Sequence, residues 1–161
     1  MEVWDLYDRN RNKLDEKHIR GVPMPKDRYH LVVHVWIQND SGGLLLSKRH
    51  PNKPYGGYWE CTGGSVIAGE NSLQGAYREV AEELGLQLDD KAAKLLRREV
   101  RQVDHLDNWL FHSNVSIEQL TFQPEEVIDA KWVDEETYRR MVRQKAIVPT
   151  LHHFFDELMV K

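Results

Sequence analysis

Cysteine is nearly missing from this 161-residue chain: Cys61 is the only one. An internal disulfide is therefore impossible, and nothing points to an oxidising compartment. Long apolar runs are missing too. None approaches the roughly 18 residues that cross a membrane as a helix, so no membrane partner is expected. The opening MEVWDLYDRN has neither the basic end nor the apolar centre of an export signal, and the expected location is the cytoplasm. Excess positive charge is absent: the formal net charge is −4, the wrong sign for a general nucleic-acid binder. Low-complexity tracts, long linkers and internal repeats are absent as well. What is there is 40% hydrophobic and 30% charged, ordinary for a globular protein. The length suits one domain, residues 1–161, with a core of its own.

Local patterning divides the chain. VWDLYDRNRNKLDEKHIRG, from Val3 to Gly21, reads as two extended pieces around the polar turn Asp8–Asn12. It forms a hairpin-like N-terminal extension, counted here as residues 1–25 and closed by Pro23 and Pro25. Tyr29–Gln38 is rich in β-branched and aromatic residues and predicts a strand. A turn, NDSGG, leads to a partner strand at Leu44–Arg49. HPNKPYGG reads as a loop, and Tyr58–Thr62 as a short strand before Gly63 and Gly64. A helix is expected at 72–84, capped by Asn71 or Ser72 and ended by Gly85. Further strands are expected at Leu95–Val103, at Trp109–Ile117 and up to Val133, then helices at Glu135–Gln144 and Thr150–Val160. Strands in the middle with helices on both sides imply a layered α/β domain.

The 72–84 helix carries an oddity. Leu73, Tyr77, Val80 and Leu84 make its apolar stripe. Glu79, Glu82 and Glu83 fall on another side, at spacings where like charges cost about 0.2–0.5 kcal/mol per pair. Such a face is either solvated surface or a platform for a hard divalent cation, which would reverse the sign of that cost.

The wider spacing is more specific. Gly64, five residues, Glu70, seven residues, Arg78-Glu79-Val80, one residue, Glu82-Glu83, one residue and Gly85-Leu86 reproduce, without departure, the signature box of the Nudix hydrolase family. The chain is similar to that family over this box, residues 64–86. The resemblance implies an α/β/α sandwich with a central mixed sheet. It implies hydrolysis of a phosphoanhydride bond, in a nucleoside diphosphate linked to another moiety or a related diphosphate, by metal-activated water. Mg²⁺ is the expected cofactor, with Mn²⁺ as a substitute, held by Glu79, Glu82, Glu83 and backbone groups at Gly64. One of Glu82 and Glu83 would instead serve as base, and Arg78 would orient Glu79 by a salt bridge. Glu70 would support the join between loop and helix. The family often recruits one more acid from the loop before a late strand. QPEEVIDAKWV offers Glu125 and Glu126, of which Glu126 is preferred as accessory ligand or base. Arg49 and Lys53 border the loop before the box and carry charges suited to phosphate. Gly63 is grouped with them as substrate-binding; a plain turn at Gly63 and Gly64 is compatible with that. Trp36, Tyr55 and Trp109 are candidates to stack on a base, with core packing the alternative for the tryptophans.

The region before the box is similar to the isopentenyl-diphosphate isomerase branch of the superfamily, whose reaction needs a cysteine and a metal-binding histidine. In WECTGGSVIAG, Gly63 and Gly64 stand where that cysteine would fall and Val66 where the histidine would be. Cys61 is too early and is expected to be a small buried residue. An isomerase-like protein thus remains one alternative, and a non-catalytic nucleotide-binding module of the same fold another. The partner expected is a small-molecule diphosphate, and the assembly a monomer or homodimer. His34, His152 and His153 have no partners at metal-ligand spacing.

Overall fold

The computed structural model describes residues 1–151 and 154–159. The N-terminal hairpin forms as expected. Strands β1 (Val3–Tyr7) and β2 (Lys13–Ile19) pair antiparallel as a separate two-stranded sheet. Their turn is tied by the Asp8 carboxylate, which accepts the Asn12 amide at 2.9 Å, an Asx-type closure.

The main sheet has seven strands. In order along the chain they are β3 (His30–Gln38), β4 (Leu44–Arg49), β5 (Trp59–Glu60), β6 (Thr62–Ser65), β7 (Lys94–Val100), β8 (Asp104–His112) and β9 (Val127–Val133). Across the sheet the path is β5-β4-β3-β8-β7, with β6 also on β3 and β9 also on β4. The β3–β8 pair is parallel and the other pairs are antiparallel, so the sheet is mixed.

Two helices cover its faces. Helix α1 (Ser72–Leu84) lays Ala76, Val80 and Leu84 on Leu31, Val33, Val35, Ile37 and Leu45. Helix α2 (Glu135–Arg143) sets Tyr138 and Met141 on the other face, with Trp36, Leu44, Leu46, Cys61 and Val133. Alternation along β3 feeds both layers, because successive side chains of a strand point to opposite faces. The result is the expected α/β/α sandwich.

Three expectations need correction. The strands placed at Leu95–Val103 and Trp109–Ile117 lie earlier, at Lys94–Val100 and Asp104–His112. Strand β8 opens with Asp104, His105, Asp107 and Asn108, all buried and all partnered. Arg101 holds Asp104, Arg11 holds Asp107, His105 Nε2 meets the Asp8 carbonyl, and Asn108 accepts from Trp36. Polar residues that satisfy one another inside erase the hydrophobic signal of a strand. Second, Gly63 and Gly64 form no turn. They lie in β6, opposite His34 and Val33 of β3. Third, of the helix expected at Thr150–Val160, the described part is a wide helical turn at Phe154–Leu158; His152, His153 and Val160 lie outside the described residues.

Candidate active site

Helix α1 is strongly nucleated. The Asn71 side chain accepts the Gln74 amide and the Gln74 side chain accepts the Asn71 amide, both at 2.8 Å, a reciprocal cap contributing about 1 kcal/mol. Gly85 ends the helix at φ 63, its amide on the Ala81 carbonyl at 3.0 Å.

Two glycines let the helix sit close to the sheet. A Cβ on Gly75 would lie 2.8 Å from Val66 Cγ2, and one on Gly64 would lie 2.5 Å from the Glu79 carboxyl. The missing Cβ of Gly64 is thus the space Glu79 fills, which explains why this side of the helix is not the open acidic face expected from the sequence. Glu79 is 8% exposed, Glu83 is half-buried, and only Glu82 faces solvent.

One guanidinium organises the acids. Arg78 gives Nε to Glu70 at 2.7 Å and Nη1 to Glu79 at 3.1 Å and Glu82 at 3.2 Å. Its Nη2 meets the Ser65 carbonyl at 3.0 Å. Glu70 also accepts the Ile67 amide at 3.1 Å, so it ties the loop to the helix.

Behind Arg78 the charge balance turns negative. Glu83 lies within electrostatic reach of both Glu79 and Glu60. Burial first, then these neighbours, push the Glu83 carboxyl up to about 8. Burial likewise lifts Glu79 to about 7 against the pull of Arg78, and raises Glu60 against the pull of Arg49. Acids that hold protons near neutrality in a cleft mark a functional site.

The opposite wall comes from the loop His50–Gly57. Lys53 pairs with Glu126, whose backbone carbonyl accepts the His50 amide at 3.0 Å. Burial, then the nearby Arg49, lowers the Lys53 ammonium. Arg49 is engaged: it holds both Glu60 oxygens at 2.7 and 3.0 Å and the Pro54 carbonyl at 2.7 Å. Tyr55 is exposed at φ 54 in the same loop, edge-on to Tyr58. Trp36 is core, and Trp109 donates to Ser72 at the other end of α1.

The donor set is all oxygen, which suits a hard divalent cation. Among the described residues, no three acids already converge as a finished metal cage.

The model of the NUDIX domain matches residues 28–156. The chain belongs to the Nudix family. It is 36% identical over 160 residues to an uncharacterized Nudix hydrolase of Listeria monocytogenes, covering 98% of this chain and 94% of that one. It is 34% identical over 80 residues to the CTP pyrophosphohydrolase of Escherichia coli, covering 48% of this chain and 58% of that enzyme. A crystal structure of a Deinococcus radiodurans protein superposes with TM-score 0.73 at 21% identity, covering 91% of this chain and 92% of that one. The chain is an enzyme of the Nudix hydrolase type, a family that generally uses divalent metals.

Within the Nudix fold, the structure sets Glu79 against Gly64, places Glu83 within electrostatic reach of Glu79, Glu60 and Lys53, pairs Lys53 with Glu126, joins Arg78 to Glu79 and to the exposed Glu82, and ties Arg49 to Glu60. Sequence reasoning missed Glu60. The signal was present: pairing with Ser47 puts it on the α1 face, while the next residue, Cys61, turns into the α2 core. Among the described residues, no helix is long and apolar enough to cross a membrane.

Proposed function

We propose that this Nudix hydrolase cleaves, with Mg²⁺ or with Mn²⁺ as substitute, a phosphoanhydride bond in a nucleoside diphosphate linked to another moiety or in a related small diphosphate. The observation that carries the reading is the buried Glu79, seated in the space left by the missing Cβ of Gly64 and held by Arg78, with Glu83 one turn on from it. Partial likeness to a CTP pyrophosphohydrolase supports a nucleotide as substrate.

Glu79 and Glu83 would hold the ion, with Glu82 and the Gly64 backbone beside them. When bound, the ion offsets phosphate charge and favours ionisation of water. Glu83 or Glu82 would accept the proton of the attacking water at a carboxylate oxygen. Arg78 keeps Glu79 turned inward. Lys53 would meet a phosphate oxygen and Glu126 would act as accessory ligand or base. Arg49 serves by fixing Glu60 and the 50–57 loop, and Gly63 by letting β6 pass close to β3. Tyr55 is the accessible aromatic for a base.

The N-terminal similarity to the isomerase branch is read as ancestry. Cys61 is buried in the α2 core, and burial raises its thiol, which argues against a thiol-dependent isomerisation.

The test is phosphate or pyrophosphate release from a panel of nucleotides, nucleotide sugars, dinucleotides and isoprenoid diphosphates, with Mg²⁺ or Mn²⁺. Release that depends on the metal and collapses in Glu83→Gln is the expected result. Ligand binding without any release would favour a non-catalytic nucleotide-binding module instead.

A further inference from the structure

The N-terminal hairpin lies outside the NUDIX domain match, which begins at residue 28. It nevertheless rests on the loop that leads into α1. Asp5 of β1 is 5% exposed, and its Oδ2 accepts the Gly69 amide at 2.8 Å. One residue earlier, the Ala68 amide donates to the Val3 carbonyl at 2.8 Å. Gly69 has φ +88, a backbone state that side-chain-bearing residues avoid, so the loop bends at the place Asp5 holds. Asp5 pairs with Lys17, and Lys13 Nζ lies 3.8 Å away. Burial alone would raise its carboxyl, yet the Gly69 amide and the two lysines hold it below the usual carboxylate range.

The residue after Gly69 is Glu70. Its two oxygens hold the Ile67 amide and Arg78 Nε, and Arg78 in turn holds Glu79. A short covalent and hydrogen-bonded path therefore runs from Asp5 through Gly69, Glu70 and Arg78 to Glu79. Asp5 is not the hairpin's only tie to the rest of the fold. Arg11 binds Asp107 through two bonds, Trp4 stacks on His30 at 3.9 Å, Tyr7 and Tyr29 exchange backbone bonds at 2.8 and 3.0 Å, and His105 meets the Asp8 carbonyl. A buried carboxylate, even with Lys17 beside it, is an expensive way to add one more anchor, since charge is costly to bury. Its distinctive effect is on Gly69.

We infer that Asp5 is a positioning residue: by fixing Gly69 it sets, through Glu70 and Arg78, where Glu79 sits. The inference rests on the hydrolytic reading proposed above for what Glu79 does, but its structural link is testable without turnover.

The experiment compares Asp5→Ala, Asp5→Asn and Arg11→Met with the parent in the full chain. Residue-resolved amide exchange, Mn²⁺ affinity, and kcat and KM on the best substrate of the panel are measured. Asp5→Ala should speed exchange about tenfold at Gly69 and also across Arg78–Glu83. It should weaken Mn²⁺ binding several-fold and lower kcat about 10–100-fold with KM nearly unchanged, the scale of effect for partners that orient metal ligands. Asp5→Asn, which keeps an acceptor oxygen, should restore most of each reading and serves if the alanine variant folds poorly. Arg11→Met, which loosens the hairpin at its tip, should leave Mn²⁺ affinity at the parent value and should not speed exchange at Gly69 or Arg78–Glu83 beyond what its overall loss of stability brings. Faster exchange confined to the hairpin and Gly69, with parent-like Mn²⁺ affinity, would overturn the inference and leave Asp5 as a hairpin anchor. A parent that neither binds Mn²⁺ nor turns over any substrate would instead refute the hydrolytic reading, and exchange across Arg78–Glu83 would still decide the link.

Discussion

Asp107 and Glu83 are both carboxylates withdrawn from water, and their surroundings differ in sign. Asp107, in β8 against the hairpin turn, is 1% exposed and meets Arg11 at 2.6 and 2.8 Å, with Arg98 Nε at 3.5 Å. Two guanidinium groups face one acid. Glu83 sits with Glu79 and Glu60, while the nearby cations are turned elsewhere: Arg78 on Glu79 and Glu82, Arg49 on Glu60 and Lys53 on Glu126. The first cluster is satisfied by the chain itself and serves to hold the hairpin down. The second is left short of positive charge, an arrangement that costs stability and fits the cation-binding role proposed for it.

The sharpest break between the two comes from removing one acid from each. Glu83→Gln should lower turnover by about 10²–10⁴-fold, the range for losing a positioned proton acceptor. It should also raise Tm, because the folded chain no longer has to keep on that side chain a proton that the unfolded chain releases. Asp107→Ala should do the reverse. It strands Arg11 and costs about 3–5 kcal/mol, at about 2–4 °C per kcal/mol for a domain of this size, while the folded fraction keeps a kcat near that of the parent. Thermal melts and steady-state rates on the same samples decide both. A Glu83→Gln variant that is inactive and less stable than the parent would put Glu83 in the structural class with Asp107.

The two clusters also differ in how readable they were. The acids of α1 could be found because a helix imposes a fixed angle per residue and the box fixes spacing over 23 positions, Gly64 to Leu86. The cap at Asn71 and the stop at Gly85 were legible for the same local reason. The Arg11–Asp107 pair was not legible, since it joins residues 96 apart in sequence and no local pattern announces it. It also misled: the buried polar run Asp104–Asn108 made β8 look like a loop. The burial of Glu79 was missed because it depends on an atom that is absent, the Cβ of Gly64, on a different strand. Glu60 and Asp5 were missed because each acts across elements.

Glu126 tests how far the active-site imbalance reaches. It lies on the loop before β9 and its side chain meets Lys53. Glu126→Gln should reduce kcat by about 10–100-fold, the range for a supporting ligand or its orienting partner, and leave Tm within a few degrees. Unaltered kinetics would confine the chemistry to the box and make Glu126 a brace for Lys53.

The smallest effect is the most diagnostic of charge. Glu79 and Glu83 are raised to about 7 and about 8 from a usual carboxylate value of 4.5. Below 4.5 both are protonated whether the chain is folded or unfolded, and the stability that goes with the protonated pair is fully present. As pH rises above that value, the unfolded chain releases these protons first, while the folded chain retains them. Stability then falls with pH until both folded carboxyls have ionised. Metal-free protein should therefore lose Tm steadily between about pH 5 and pH 9. Glu83→Gln should flatten that decline, because one of the two titrating groups is gone and the other loses its charged neighbour. Mg²⁺ should raise Tm more at the alkaline end, where it need not displace protons to reach the carboxylates. An equal slope in the parent and in Glu83→Gln would mean that the groups losing protons over this range lie outside the cleft, and that Glu83, for all its burial, is charged at neutral pH in the folded chain.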